Sequence, residues 1–510
     1  MNRAVDYRSD FYALGATLYE LLTGAPLFDV TEPMDWLHCH IAREPRPPHR
    51  VRREVPTLVS ELVMTLLRKN ADDRYRSAAG IAADLARLLE RLDAGEDQPR
   101  FPLRTQDLPR RFQIPQRLYG REPHVERLMA VYDRASRGPA ELALVAGYSG
   151  IGKTSVIKEL YRPITARRGF FVSGKFDQLH RHVPLSAPVA ALKALVRQLL
   201  TEPETTLAGW RDKLDDALEG QGALIVELIP ELALIIGDQP PLPPMPQANA
   251  ERRFRRAMRR FVAAFCRAEH PLVLFLDDLQ WADAATLELL ELILVEAPVE
   301  HLLVIGAYRD NETGPGHPLL LAVERLRQSV PVTDIDLPPL AAEDLRALLA
   351  DALHADAEAV ARLADTVAAK TGGNPYFTEE FLKDLVRQGL VGFDGSSQRW
   401  RWDDAEIAAQ RVTDNVVDLM SAKLRRLSDG ARHTLEIAAC IGHRFELELL
   451  ARVDDTPWPA LLDALREAMA EQLIAPLGGQ IQKRLARPDR QGPHPGLEFA
   501  FAHDRIQQSA

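Results

Sequence analysis

The chain has 510 residues, 63 Lys and Arg against 73 Asp and Glu for a formal net charge of −10, and a hydrophobic fraction of 46%. The length points to about three or four domains of roughly 100–200 residues, and the composition excludes wholesale disorder and a membrane-embedded chain, with no apolar run near the roughly 20 residues of a span. Three scattered cysteines (Cys39, Cys266 and Cys440) exclude a disulfide scaffold and point to a reducing, cytoplasmic setting, and the acidic excess argues against a protein coated in nucleic acid.

In chain order, residues 1–95 read as helical. Phe11–Leu22, Thr57–Leu67 and Ser77–Leu92 carry apolar side chains at helical spacing. Asp10 is placed to cap the first of these or to brace a neighbouring loop from behind, and Arg74 to complete an internal ion pair. His38-Cys39-His40 does not read as a zinc site, because its side chains fall on different helix faces and no fourth ligand is near. Residues 96–117 change character: Pro99, Pro102, Pro109 and Pro115 alternate with arginines, which predicts an extended linker.

From 118 to 340 short apolar runs alternate with helical stretches. Strands are expected at Leu142–Ala146, Phe170–Ser173, Leu272–Leu276, Leu302–Ala307 and Val332–Leu337. The fold class is therefore α/β, a parallel sheet with flanking helices. Gly147-Tyr-Ser-Gly150-Ile-Gly152-Lys153-Thr154 matches the gap-free phosphate-loop pattern, with a strand running in and a helix predicted over Thr154–Tyr161. Glycines let backbone N–H groups converge on phosphate oxygens, and the helix N-terminus favours the anion. Gly147, Gly150, Gly152, Lys153, Thr154 and Ser155 are the expected nucleotide-binding residues, with Lys153 reaching the β- and γ-phosphates of ATP or ADP and the Thr154 hydroxyl ligating Mg²⁺.

The fully apolar Pro271-Leu-Val-Leu-Phe-Leu run ends in Asp277 and Asp278, so both acids should emerge at the carboxyl end of a buried strand. Asp277 is expected to hold Mg²⁺ through water and Asp278 to orient or deprotonate the attacking water. A shorter Asp in that role predicts slow hydrolysis. Arg309 ends the next strand, placed either to sense the γ-phosphate or to pair with Asp310 at the surface. Arg252, Arg253, Arg255, Arg256, Arg259 and Arg260 alternate with Phe254, Met258, Phe261 and Phe265, which predicts an amphipathic helix with a basic solvent face rather than a nucleic-acid site. From 341 the pattern is again mainly helical.

Leu118-Tyr-Gly-Arg121-Glu122, the phosphate loop, Asp277-Asp-Leu-Gln-Trp281-Ala-Asp283, Ala307-Tyr-Arg-Asp-Asn311-Glu and Gly372-Gly-Asn-Pro375-Tyr-Phe together resemble the ATPase module of the AAA+-related signal-transduction ATPases with numerous domains (STAND). Ser173-Gly-Lys-Phe-Asp-Gln178 is similar to the bacterial hybrids that join a serine/threonine kinase, this ATPase and a histidine kinase. The resemblance implies that Tyr119 and Arg121 lie near the base or ribose and that Pro375 packs against the nucleotide. It implies a helical lid over 341–410 and a winged-helix-like segment over 411–510, in which His503 would read nucleotide state, while the residues themselves favour a partly exposed helix-capping histidine there. It further implies a nucleotide-dependent switch whose partners are other domains of the same polypeptide or a second copy.

Asp6-Tyr-Arg-Ser-Asp10-Phe-Tyr-Ala-Leu-Gly15, Thr23-Gly-Ala-Pro26-Leu-Phe28 and Asn70-Ala-Asp-Asp-Arg74-Tyr resemble the C-terminal lobe of a bacterial serine/threonine kinase. No Gly-rich loop, V-A-I-K lysine, H-R-D or D-F-G precedes Asp6, so the expectation is a partial lobe without kinase catalysis, in a chain cut at both ends. The alternative reading is an ATP-gated transcription regulator whose DNA-binding domain lies beyond residue 510.

Overall fold

The computed structural model describes residues 6–30, 33–107, 112–177, 183–409, 424–454, 456–471, 473–477, 497–502 and 506–507. The chain separates into two compact units, Met1–Lys175 with Pro184–Ala409, and Phe176–Val183 with Gln410–Ala510.

In the first unit the helices Arg8–Thr23, Thr57–Leu66 and Ala78–Asp93 form where the apolar spacing predicts. Leu58, Leu62, Leu66, Ile81 and Leu88 close a core around the fully buried Tyr75. Ser77 caps the third helix, its hydroxyl accepting from the Gly80 N–H at 3.0 Å. Asp10 does not cap the first. That helix starts at Arg8, so Asp10 lies inside its first turn, and the Asp6 carboxylate accepts from the Arg8 N–H at 2.9 Å instead. The expected Arg74 ion pair is likewise made by another residue. Arg8 bridges Asp6 at 2.7 Å and Asp72 at 2.8 Å, while Arg74 donates to the carbonyls of Arg68, Arg8 and Lys69.

The proline-interrupted segment after this block has no regular structure through Asp107, as proline's missing donors require. It is anchored rather than loose. Phe101 is buried under the Arg87 guanidinium, and the Asp107 carboxylate accepts from the backbone N–H groups of Arg76 and Ser77 at 2.8 Å each.

Five strands form as expected: β1 (Glu141–Ala146), β2 (Phe170–Lys175), β3 (Leu272–Asp277), β4 (Leu302–Tyr308) and β5 (Val332–Asp336). They make one sheet in the order β2-β3-β4-β1-β5, and every pairing is parallel. β1, β3 and β4 are apolar on both faces because helices cover both, the condition for a parallel sheet. This is a P-loop NTPase-like α/β fold. Its register puts Ala146 beside Tyr308 and Asp277 beside Lys175, so the phosphate loop and the strand-end charges share the carboxyl edge.

The arginine-rich stretch is the amphipathic helix Gln247–Phe265. Met258, Phe261, Val262 and Phe265 face the core, while Arg260 pairs with Glu219, Arg255 with Glu296 at 2.9 Å, and Arg259 donates to the Ala297 carbonyl. Beyond β5 the helices Ala342–Leu353, Ala361–Thr371 and Pro375–Arg387 and the hairpin Val391–Asp394/Arg399–Trp402 enclose a second apolar cluster.

In the second unit, an antiparallel sheet of Arg444–Glu446, Glu498–Phe501 and Ile474–Leu477 accompanies the helices Asp429–Ile441, Leu447–Val453 and Trp458–Ala470. Leu435, Leu461, Leu465 and Phe499 are fully buried within it. His503 lies outside the described residues.

Candidate nucleotide-binding site

β1 delivers the chain into the loop Gly147–Gly152, where Gly147, Gly150 and Gly152 have φ of 147°, 79° and 97°. The last two are left-handed, a conformation glycine adopts without the Cβ penalty. The helix that follows runs Lys153–Lys158, and a second begins at Tyr161, dividing the helix expected over Thr154–Tyr161. Pro163 supplies the reason: in a continuous helix it would remove the hydrogen bond to the Glu159 carbonyl and clash with that group. Ser155, on the outer face of the first helix, is exposed.

Lys153 is buried, and its ammonium donates to the carbonyls of Gly147 at 2.6 Å and Tyr148 at 3.0 Å. Burial pushes its pKa down, and the nearby Asp277 and Asp278 oppose that shift. The Thr154 hydroxyl donates to Asp277 Oδ2 at 3.0 Å. Residues separated in sequence by 123 positions are thus joined directly at the loop's exit.

Asp278 sits in the left-handed region at φ 55°, which turns the chain sharply after β3. Its carboxylate meets Arg309 Nε at 3.2 Å, Lys175 Nζ at 3.3 Å and the Gln280 amide at 2.9 Å. Arg309 is 3% exposed at its side chain, so its guanidinium is buried rather than at the surface. It also holds Glu312 at 2.9 Å, and its guanidinium lies 4.9 Å from the Trp281 ring centre. Gln280 closes the set by accepting from the Arg309 backbone N–H at 3.1 Å.

Arg121 is buried and donates to the carbonyls of Ile151 at 3.3 Å and Pro338 at 2.7 Å, tying the loop to the segment after β5. Tyr119 instead joins the helical cluster. Its hydroxyl donates to Asp351 at 2.8 Å, while Arg117 stacks on its ring and pairs with Asp351 at 2.9 Å. Burial and Asp351 push the Tyr119 pKa above its ordinary value. Pro375 is the first residue of its helix, immediately after Asn374, whose amide donates to the Ser149 carbonyl at 2.9 Å.

The structure therefore brings Arg121, the loop glycines, Lys153, Thr154, Asp277, Asp278, Arg309 and the Asn374-Pro375 turn to one edge of the sheet. Sequence reasoning missed Lys175, Gln280 and Asn374. All three lie inside motifs that carry the family resemblance, and the Asn before a proline at a helix start additionally marks a cap.

The chain is similar in sequence to several known proteins. The chain is 28% identical over 553 aligned residues to hybrid signal transduction histidine kinase G of Dictyostelium discoideum, an alignment covering 92% of this chain and 16% of that protein. It thus spans less than a fifth of that relative's length. At the N-terminal end, 86 aligned residues, 17% of the chain, are 43% identical to 14% of the serine/threonine-protein kinase PknB of Mycolicibacterium smegmatis. Among solved structures, a STAND protein with a tetratricopeptide repeat sensor from Pyrococcus horikoshii aligns at a TM-score of 0.36 and 14% identity, covering 78% of this chain and 43% of that one. Residues 117–305, which hold the phosphate loop, Asp277 and Asp278, match the family described as the AAA ATPase domain.

Proposed function

We propose that this chain is the nucleotide-dependent switch of a signalling kinase, binding ATP or ADP with Mg²⁺ and hydrolysing ATP slowly. The observation that carries this reading is the Thr154–Asp277 contact of 3.0 Å at the mouth of a complete phosphate loop. A hydroxyl and a carboxylate side by side at the loop's exit are both hard oxygen donors, which supports a magnesium ion bound to phosphate there. Such an ion keeps several waters and takes only one or two protein carboxylates, so the pair is a sufficient donor set. Bound there, the ion would neutralise phosphate charge. The chain's own groups supply the rest: Lys153 the phosphate-facing cation, Arg309 a buried cation held ready at the edge, and Asp278 the water-orienting carboxylate. The grip of Lys175 and Arg309 on Asp278 favours slow turnover.

Residues 1–95 fit the kinase lobe, 118–340 the ATPase core, 341–410 the lid and 411–510 the winged-helix-like segment, with other domains of the polypeptide or a second copy as the partners. The kinase relatives support a signalling role. Among the described residues no helix is long and apolar enough to cross a membrane, which suits a cytoplasmic switch.

The test is Lys153→Ala in a thermal-shift titration. ATP at 100 times its dissociation constant should stabilise the wild type by about 2.7 kcal/mol, and the variant should lose that shift. Equal shifts in both proteins would refute the reading.

A further inference from the structure

Asn374 makes two kinds of contact at once. Its Oδ1 accepts from the backbone N–H groups of Tyr376 at 3.1 Å and Phe377 at 3.4 Å, capping the Pro375–Arg387 helix. Its Nδ2 points the opposite way and donates to the Ser149 carbonyl at 2.9 Å, and the Tyr376 N–H also reaches the Gly150 carbonyl at 3.3 Å. Two successive carbonyls of the phosphate loop are therefore held by the first turn of a helix more than 220 residues away in sequence. The approach is close: a Cβ on Gly150 would lie 2.9 Å from both Asn374 and Tyr376.

The consequence follows from peptide planarity. In a trans peptide the N–H points away from the preceding C=O, so drawing the Ser149 carbonyl toward the helix turns the Gly150 N–H to the other side of the loop. The Ile151 N–H, opposed to the Gly150 carbonyl, meets the Tyr148 carbonyl at 3.3 Å and closes the turn. A primary amide carries its acceptor and its donor on two separate atoms, so one Asn side chain caps the helix and reaches the loop carbonyl at once.

We propose that Asn374 is a positioning residue for phosphate binding, which sets the 149–150 peptide before nucleotide arrives and couples the loop to the seat of the Pro375–Arg387 helix. The proposal rests on the nucleotide-binding reading above and adds to it a named link between site and helical segment.

The discriminating variant is Asn374→Ser, which keeps an N-cap oxygen but is too short to reach Ser149. In hydrogen exchange of the 510-residue chain without nucleotide, the variant should exchange faster at residues 148–151. Its affinity for a fluorescent ADP should fall about 3- to 10-fold, the range for one lost hydrogen bond, with little change in unfolding midpoint. Saturating ADP should slow exchange in the first turn of the Pro375–Arg387 helix in the wild type, and in the loop alone in the variant.

Unchanged exchange at 148–151, equal ADP affinity, or helix protection that persists in the variant each overturns the positioning role. A wild type that binds no nucleotide overturns the functional reading and the role together, while the nucleotide-free exchange still reports whether the amide holds the loop. Should Asn374→Ser not fold, Asn374→Asp keeps cap and size without the donor and is read by nucleotide-free exchange, where unchanged rates at 148–151 again refute the link.

Discussion

Replacing Asp278 by Asn separates the two things that residue does, shaping the chain and carrying charge. Asn is chosen because position 278 has φ 55°, a conformation Asn tolerates and Ala does not, so the backbone cost is small. What is lost is the negative charge between Arg309 and Lys175. The Arg309 and Asp278 side chains are only 3% and 6% exposed. Leaving one partner of such a buried pair uncompensated typically costs about 3–5 kcal/mol. Two features reduce that figure here: Glu312 remains on Arg309 at 2.9 Å, and Lys175 is 28% exposed and can be hydrated. The expected loss is about 2–3 kcal/mol, at or just below the lower end of that range.

Urea unfolding followed by tryptophan fluorescence is the suitable assay, because Trp281 lies against the Arg309 guanidinium. Glu312→Gln, at a more exposed partner, should cost under about 1 kcal/mol and serves as the control. A loss below about 0.5 kcal/mol for Asp278→Asn, the size of an ordinary surface change, would refute the account of this network as a desolvated charge cluster. The same variant should keep ADP affinity and hydrolyse ATP more slowly, and unchanged turnover would remove Asp278 from the water-orienting role.

Other expectations follow from the same structure. His354 accepts from Arg76, with Arg104, Asp107 and Asp351 also acting on it, and burial followed by Arg76 pushes its pKa down from 6.5 to about 4. Its folded value is below its unfolded value, so the unfolded chain binds the proton better. The stability is present above pH 6.5 and is lost as pH falls toward 4, amounting to roughly 2 kcal/mol by pH 5. His354→Asn, tolerated at φ 49°, should flatten the fall in unfolding midpoint between pH 7.5 and pH 5, and an unaltered pH dependence would sink the assignment. Asp107→Ala strips the acceptor from the Arg76 and Ser77 N–H groups and should cost about 3 kcal/mol while exposing the 98–107 strap to proteolysis; uncleaved, fully stable protein would contradict its anchoring role. Ile305→Ala, at the fully buried centre of the sheet, should cost about 2–5 kcal/mol in urea unfolding, and a loss under 1 kcal/mol would mean the sheet relaxes around the cavity.

Much of the site was readable before any coordinates. The phosphate loop is a contiguous pattern whose chemistry needs those residues at that spacing, and the acids at 277 and 278 announce themselves because a doubly buried strand cannot carry a charge until it ends. Arg309 was placed correctly at its strand end, but its pairing with Asp278 was not foreseen. A salt bridge depends on which strand ends become neighbours, and the sheet order puts β4 beside β3, within reach of Asp278. The same limit hid Lys175, whose side chain gains meaning only because β2 pairs with β3. At the N-terminal end the local errors have a different cause. Arg8, not Arg74, bridges the acids because the first helix starts earlier than the apolar spacing alone shows.

The amino-acid sequence by itself therefore determined the element types, the α/β class and the glycine-rich loop between β1 and its helix, since periodicity, glycine placement and proline breaks act over a few residues. Tertiary structure alone decided which charges meet, that the proline-rich segment is strapped down by Asp107, and that Asn374 reaches the Ser149 carbonyl. These are contacts between distant positions, where hydrogen bonds form by proximity in space and leave no periodic trace along the chain.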